Sequence, residues 1–272
     1  MRNDAEERAS KFYNTVGWAT EDGVTEDARR WEDLREHASE YVSKCRRRVL
    51  AHIPGNGVNM LDMASGPIQY VEYLEYSRNF KKRYCVDLSS SALESARKKI
   101  GDHGEYLLGS FFDIPLEENF FDCTLSLHTI FHIDKDRQEE AVRKLIRVTK
   151  PGKPVIIVYG NPNTIISSLP SPVRFLKKVK RFLIKPIKTA PKAENLGLYF
   201  HLYPLEWWHR FDDMAIVKIF PWRSFASEDQ KKLFPDNILG KKMFDILFAL
   251  EQRYPDFFVR HFQYPMIILT KI

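Results

Sequence analysis

Two groups of residues in this 272-residue chain have types and spacings suited to chemistry. The run MLDMASGPIQY at 60–70 sets Asp62, Ala64, Ser65 and Gly66 in a small-residue turn after an apolar segment. Asp87 follows about 20 residues after the turn, the interval expected of an acid that takes ribose hydroxyls beyond a glycine loop. A pyrophosphate asks for several adjacent glycines, so a single glycine better suits a nucleoside without phosphates. Ala64 and Ser65 are small enough for close approach, and Gly66 is expected to fill the one position needing positive φ. The second group is histidine: His128 and His132 in SLHTIFHI, and His201 in LYFHLYP. Imidazole titrates near neutral pH and can take a proton from a hydroxyl or amine. His132 can equally be a packed residue between sheet and helix, and His128 can serve shape alone. The histidines lack a matching set of ligands, so no metal is expected.

Elements that would position these residues alternate along the chain. Strands are expected at 58–64, 82–89, 104–112, 121–130 and 153–160, with helices at 70–77, 90–100 and 136–149. This rhythm predicts an α/β fold with a doubly wound, mostly parallel sheet. Residues 204–211 read as a helix. Residues 215–222 and the 258–272 segment read as two more strands, able to pair antiparallel at the sheet edge and bring the sheet to seven. The helical spacing of Trp31, Leu34, Ala38, Tyr41, Val42, Cys45 and Val49 predicts a helix over 27–53, ended at PGNG. The chain is expected to be a single domain: a helical lid at 1–57, a core at 58–160, a basic and aromatic cap insertion after the fifth strand at 161–204, and the rest of the sheet at 205–272.

Five segments then occur in a telling order: MLDMASGPIQY, CVDLSSSALESARKKI, LLGSFFDIPLEENFFD, SLHTIFHI and RKLIRVTKPGKPVIIVY. Over residues 58–160 they resemble the successive motifs of class I S-adenosylmethionine-dependent methyltransferases, which have a Rossmann-like fold. The family's loop usually has three glycines; here Ala64 and Ile68 stand in two of those places. The resemblance implies S-adenosyl-L-methionine as cofactor, with S-adenosyl-L-homocysteine as product. Asp62, Ala64, Ser65 and Gly66 would face its methionine part, Asp87 the ribose, and Leu88 the adenine. Ser110 and Phe111 would hold the adenine edge, while Leu127 and His128 would lie where cofactor and acceptor meet. Tyr13 and Trp18, in FYNTVGW, resemble a lid element that closes over the cofactor; plain aromatic packing is the alternative.

Composition narrows the context. The net charge of +6 is local: residues 141–193 hold no Asp or Glu and many Lys and Arg, so the remainder is net acidic. The stretch 173–188 could rest on an anionic membrane surface or cap a pocket for an acidic acceptor. Its aromatics are not interleaved as a base-stacking platform requires, so no nucleic-acid partner is expected. Cys45, Cys85 and Cys123 suggest a reducing compartment, and no apolar run is long enough for a transmembrane helix, so a cytoplasmic location is expected. The expected function is methyl transfer to an oxygen or nitrogen of a small-molecule acceptor in biosynthesis. The alternatives are cofactor binding without transfer, or action on a lipid-linked acceptor at a membrane surface.

Overall fold

A computed structural model describes residues 4–165 and 197–272. The basic stretch 173–188, with its expected membrane or pocket role, lies outside the described residues. The chain begins with α1 (Asp4–Phe12) and a π-helical turn, Tyr13–Gly17. A short hairpin follows, β1 (Thr20–Glu21) and β2 (Val24–Thr25), turned through Asp22 and Gly23, both at positive φ. Next come α2 (Glu26–Trp31) and α3 (Glu36–Arg47).

The single helix expected over 27–53 is thus corrected. Glu32 leaves the helical region at φ −112°, ψ 151°. The buried carboxylate of Asp33 then holds the Arg35 guanidinium and accepts its backbone N–H. Asp33 is the buried residue here, and Trp31 and Leu34, assigned to the apolar stripe, are exposed. From Ala38 onward the stripe holds: Ala38, Tyr41, Val42, Cys45 and Val49 are all buried.

The core then alternates as β3 (Gly57–Met63), α4 (Val71–Glu75), β4 (Phe80–Asp87), α5 (Ser90–Ile100), β5 (Gly104–Leu108), β6 (Cys123–Leu127), α6 (Gln138–Val148) and β7 (Pro154–Val158). Ser89 caps α5, its hydroxyl accepting the Ala92 N–H. The helix expected at 204–211 is present as a 3₁₀ helix, Leu205–Phe211. After β8 (Ala215–Arg223) come α7 (Ser227–Leu233), α8 (Ile238–Arg253), α9 (Pro255–His261) and β9 (Tyr264–Lys271). The sheet has seven strands in the order β5-β4-β3-β6-β7-β9-β8. Its first five are parallel neighbours, and β9 runs antiparallel to both β7 and β8. The last strand enters between β7 and β8, leaving β8 at the edge. Strand order reverses between β3 and β6, so the crevice beyond their carboxyl ends is where such a sheet binds ligands.

Helices cover both faces. One core layer joins α6, the Trp207–Trp208 turn and the sheet; the other joins α3, α8 and the opposite side. No helix among the described residues is long and apolar enough to cross a membrane. Inside the sheet, Asp62 near the end of β3 forms an ion pair with Arg83 of β4, both buried. Arg83 also donates to the Tyr73 carbonyl at 2.5 Å, tying α4 to the same point. Removing one member leaves the other charge buried and unpaired, so Asp62→Ala should cost about 3–5 kcal/mol of stability. Urea unfolding of this variant beside Asp62→Leu/Arg83→Met checks the point: the double variant should recover most of the loss.

Candidate active site

The turn after β3 is the first part of the site. Ala64, Gly66 and Ile68 have φ of 57°, 55° and 49°. The expectation of one positive-φ position is corrected: alternate residues of the turn are left-handed, and two of them carry side chains. The cause is anchoring from β4. Ala64 and Ser65 donate to the Val86 carbonyl at 2.8 and 3.2 Å, and Gly66 donates to the Asp87 carboxylate at 2.8 Å. Strain at Ala64 and Ile68 costs about 1–3 kcal/mol each. Burial of Ile68 against Cys85, Leu93 and Ala96 returns about 1.5–3 kcal/mol. The glycine-loop shape therefore persists without two of its glycines.

Asp87 ends β4 and accepts N–H groups from Gly66 and Ser89, both at 2.8 Å. Burial outweighs these bonds and pushes its pKa from 3.8 up to about 6. The N-terminal segment lies over this turn. Trp18 stands against Gly66, where an added Cβ would come within 3.0 Å of the indole. Tyr13 stacks on Trp18 at 4.9 Å, and the Asn14 amide reaches the Leu88 carbonyl at 3.3 Å.

Three connected chambers open beyond the strand ends. The first is an apolar slot among Val86, Leu88, Phe111 and Ile133, with Glu6 and Asp87 at its edge. The second is bounded by Tyr13, Trp18, Ala64, Ser65, Gly66, Asp87, Leu88, Leu127 and His128. The third, about 240 Å³, is lined by aromatic side chains and shares Tyr13, Asp27, Gln69, His128 and His132 with the second.

Three expected site residues line none of these chambers. Asp62 is committed to Arg83. The Ser110 hydroxyl donates to Glu6 at 2.5 Å, so Glu6 presents the polar group to the slot instead. His201 is corrected as a proton-transfer candidate: its backbone N–H is bound to the Phe131 carbonyl and its ring packs edge-on to Tyr203 at 4.7 Å. His128 sits at φ 59°, its ring 4.5 Å from that of Trp222. Burial and the nearby Arg223 and Arg46 hold its pKa well below 6.5, making it a weak proton acceptor. His132 Nδ1 lies 2.8 Å from the Tyr199 carbonyl, which can only accept, so Nδ1 bears the proton and Nε2 is the basic nitrogen.

Sequence reasoning missed Glu6, Asp27, Gln69 and Thr129. Nothing in their local sequence marks them; α1 carries Glu6 and α2, after the β1–β2 hairpin, carries Asp27 to the site. Asp27 is the most unusual of them. Tyr13 hydroxyl, at 3.5 Å, is its hydrogen-bond partner, and burial followed by Glu32 raises its pKa from 3.8 to about 7.

Comparisons with known proteins agree with this arrangement. Residues 61–157 match the family model described as a methyltransferase domain. Norajmaline N-methyltransferase of Rauvolfia serpentina is 23% identical over 143 residues, a match covering 44% of this chain and 44% of that protein. The chain thus aligns with less than half the length of that curated relative. Among solved structures, geranyl diphosphate C-methyltransferase of Streptomyces coelicolor A3(2) superposes with a TM-score of 0.57 at 13% identity, over 99% of this chain and 98% of that one. A methyltransferase described as SAM-dependent, from Archaeoglobus fulgidus, gives 0.54 at 14% identity, over 86% and 94%. At these identities the likeness is one of fold.

The raised pKa of Asp27 has a signed consequence. Between about pH 4 and pH 7 the folded protein holds this proton and the unfolded chain does not, so stability falls as pH rises through that window. Asp27→Asn should match the wild type near pH 4 and become progressively more stable than it up to about pH 7. Thermal unfolding of both proteins across this range measures the difference; a constant offset would contradict the assignment.

Proposed function

Because residues 61–157 match a methyltransferase-domain family model, we propose that the protein is a class I S-adenosylmethionine-dependent methyltransferase that transfers a methyl group to nitrogen or oxygen of a small-molecule acceptor. The observation that carries this reading is the row of three adjoining chambers that share lining residues, with the Asp87 carboxylate bordering both slot and turn. The residues present fit the cofactor. The slot beside Leu88 and Phe111 suits a planar adenine, Asp87 keeps lone pairs for ribose hydroxyls, and the buried Trp18 Nε1 has no partner among the described residues. Ala64, Ser65 and Gly66 leave room for the methionine portion. When bound, this cofactor supplies an electrophilic methyl on a sulfonium sulfur. The protein's own work is then alignment, exclusion of water and removal of a proton.

Tyr13 and Trp18 close the second chamber over the turn and keep water out. Burial holds the Tyr13 phenol neutral, so it adds no charge beside a cationic sulfur. His128 shapes the passage to the third chamber. His132 Nε2 and the Asp27 carboxylate are the two groups in this passage able to take a proton.

Calorimetric titration with S-adenosylhomocysteine and with NADH tests the reading. S-adenosylhomocysteine should bind at micromolar Kd and NADH should not. Asp87→Ala should weaken binding about 100-fold, as loss of two charge-assisted hydrogen bonds requires. A wild-type protein that ignores S-adenosylhomocysteine would sink the proposal.

A further inference from the structure

Charge in the third chamber is uneven in a way that bears on its occupant. Glu32 is neutralised twice, by Arg46 at 3.2 Å and by Arg223 at 2.8 Å. Both guanidinium groups are buried and also cover rings, Arg46 over Tyr70 and Arg223 over Tyr264. His128 is uncharged. Asp27 forms no ion pair among the described residues, and a phenol hydroxyl at 3.5 Å is a weak partner. Arg46 also lies 4.0 Å from Glu72, so among the described residues the two guanidinium groups face the carboxylates of Glu32 and Glu72, and Asp27 is the carboxylate left over. Around it, Trp31 and Phe200 are more than half exposed, and neither ring is covered by a cation among the described residues.

Resting on the methyltransferase reading, we propose that the acceptor is a protonated amine on an aromatic or apolar body, whose ammonium group pairs with Asp27. The chamber provides what such a molecule needs: a lone carboxylate for the N–H groups and free aromatic surface for the body and cation. Asp27 lies where the second and third chambers meet, so the paired nitrogen is held next to the cofactor chamber. One N–H bond breaks, an O–H bond forms on Asp27, and the electron pair stays on nitrogen as the nucleophile. The proton affinity that burial and Glu32 give Asp27 makes this uphill transfer less costly than it would be to an ordinary carboxylate. An anionic acceptor would meet a carboxylate with no ion-pair partner among the described residues, and Arg46 and Arg223 are already held by Glu32 and Glu72.

Three probes of one shape and different charge decide the matter: 2-phenylethylamine, 2-phenylethanol and phenylacetate. Binding is followed by ligand-observed NMR at pH 8 in the presence of S-adenosylhomocysteine, whose own binding is measured first. The amine should bind about tenfold tighter than the alcohol, with phenylacetate weakest. Asp27→Asn should bring amine and alcohol to similar affinity while S-adenosylhomocysteine still binds. Tryptophan fluorescence and thermal unfolding confirm that the variant is folded, and Asp27→Glu should restore part of the preference. If S-adenosylhomocysteine binds but the wild type shows no preference for the amine, or prefers phenylacetate, the amine assignment is overturned and the methyltransferase reading stands. If S-adenosylhomocysteine does not bind at all, both fall.

Discussion

The hydrogen bond from the Gly66 amide to the Asp87 carboxylate is the constraint on which the site depends. It joins the turn after β3 to the end of β4 and fixes both where a ligand must touch them. The bond is accepted by a buried charge whose solvation is already poor, which is why two backbone N–H groups are needed to hold it. Behind it, the Asp62–Arg83 pair clamps the same two strands from within the sheet. One carboxylate, Asp87, lines the cavity. The other faces inward and works as a support. Their spacing in sequence makes them look equivalent, and only the packing separates them.

That distinction explains what the sequence could and could not convey. The alternation of strands and helices, the antiparallel pairing of the last two strands and the Asp87 position follow from periodicity and spacing, because buried strands must be apolar and crossovers must be long enough to contain a helix. The direction of a side chain at a strand end is not written in its type, so Asp62 and Asp87 read alike. The break between α2 and α3 was hidden for a related reason. Trp31 and Leu34 continue the helical stripe in pattern, yet Asp33 is the residue that is buried, with Arg35 as partner. The helices α7 and α8 carried no usable signal. Ile238, Leu239, Ile246 and Leu250 are exposed while Phe244 and Leu247 are buried, so apolar residues surround much of α8 and blur its face.

The loop shows how a motif can lose its residues and keep its geometry. Backbone amides at Ala64, Ser65 and Gly66 are claimed by β4 acceptors, and these bonds set the dihedral angles whatever side chains are present. Ile68 occupies a region that β-branched residues avoid, but its side chain fills a gap beneath α5 that glycine would leave empty. Strain and packing are thus exchanged within one residue. A search for glycines alone finds one of three positions; acceptors on the neighbouring strand account for Ala64 and Gly66, and the Ile68 amide donates within the turn to the Ser65 carbonyl.

Buried carboxylates elsewhere in the protein show how unusual Asp27 is. Asp33 has Arg35, Asp62 has Arg83, Glu251 has Arg48, and Glu32 has two arginines. Asp87 has backbone amides in place of a cation. An acid that folding strips of water and leaves without such a partner lowers stability above its raised pKa, and a better-packed neutral residue would avoid that cost. Asp27 sits in the first turn of the short helix after the β1–β2 hairpin, where its charge suits the helix N-terminus, in a segment that contributes little to the sheet core. What it does border is the passage between two chambers, shared with His128 and His132. Of these three titratable side chains, one is weakly basic by burial and one is anchored to a carbonyl through Nδ1, which leaves the carboxylate as the group whose charge is still unmatched.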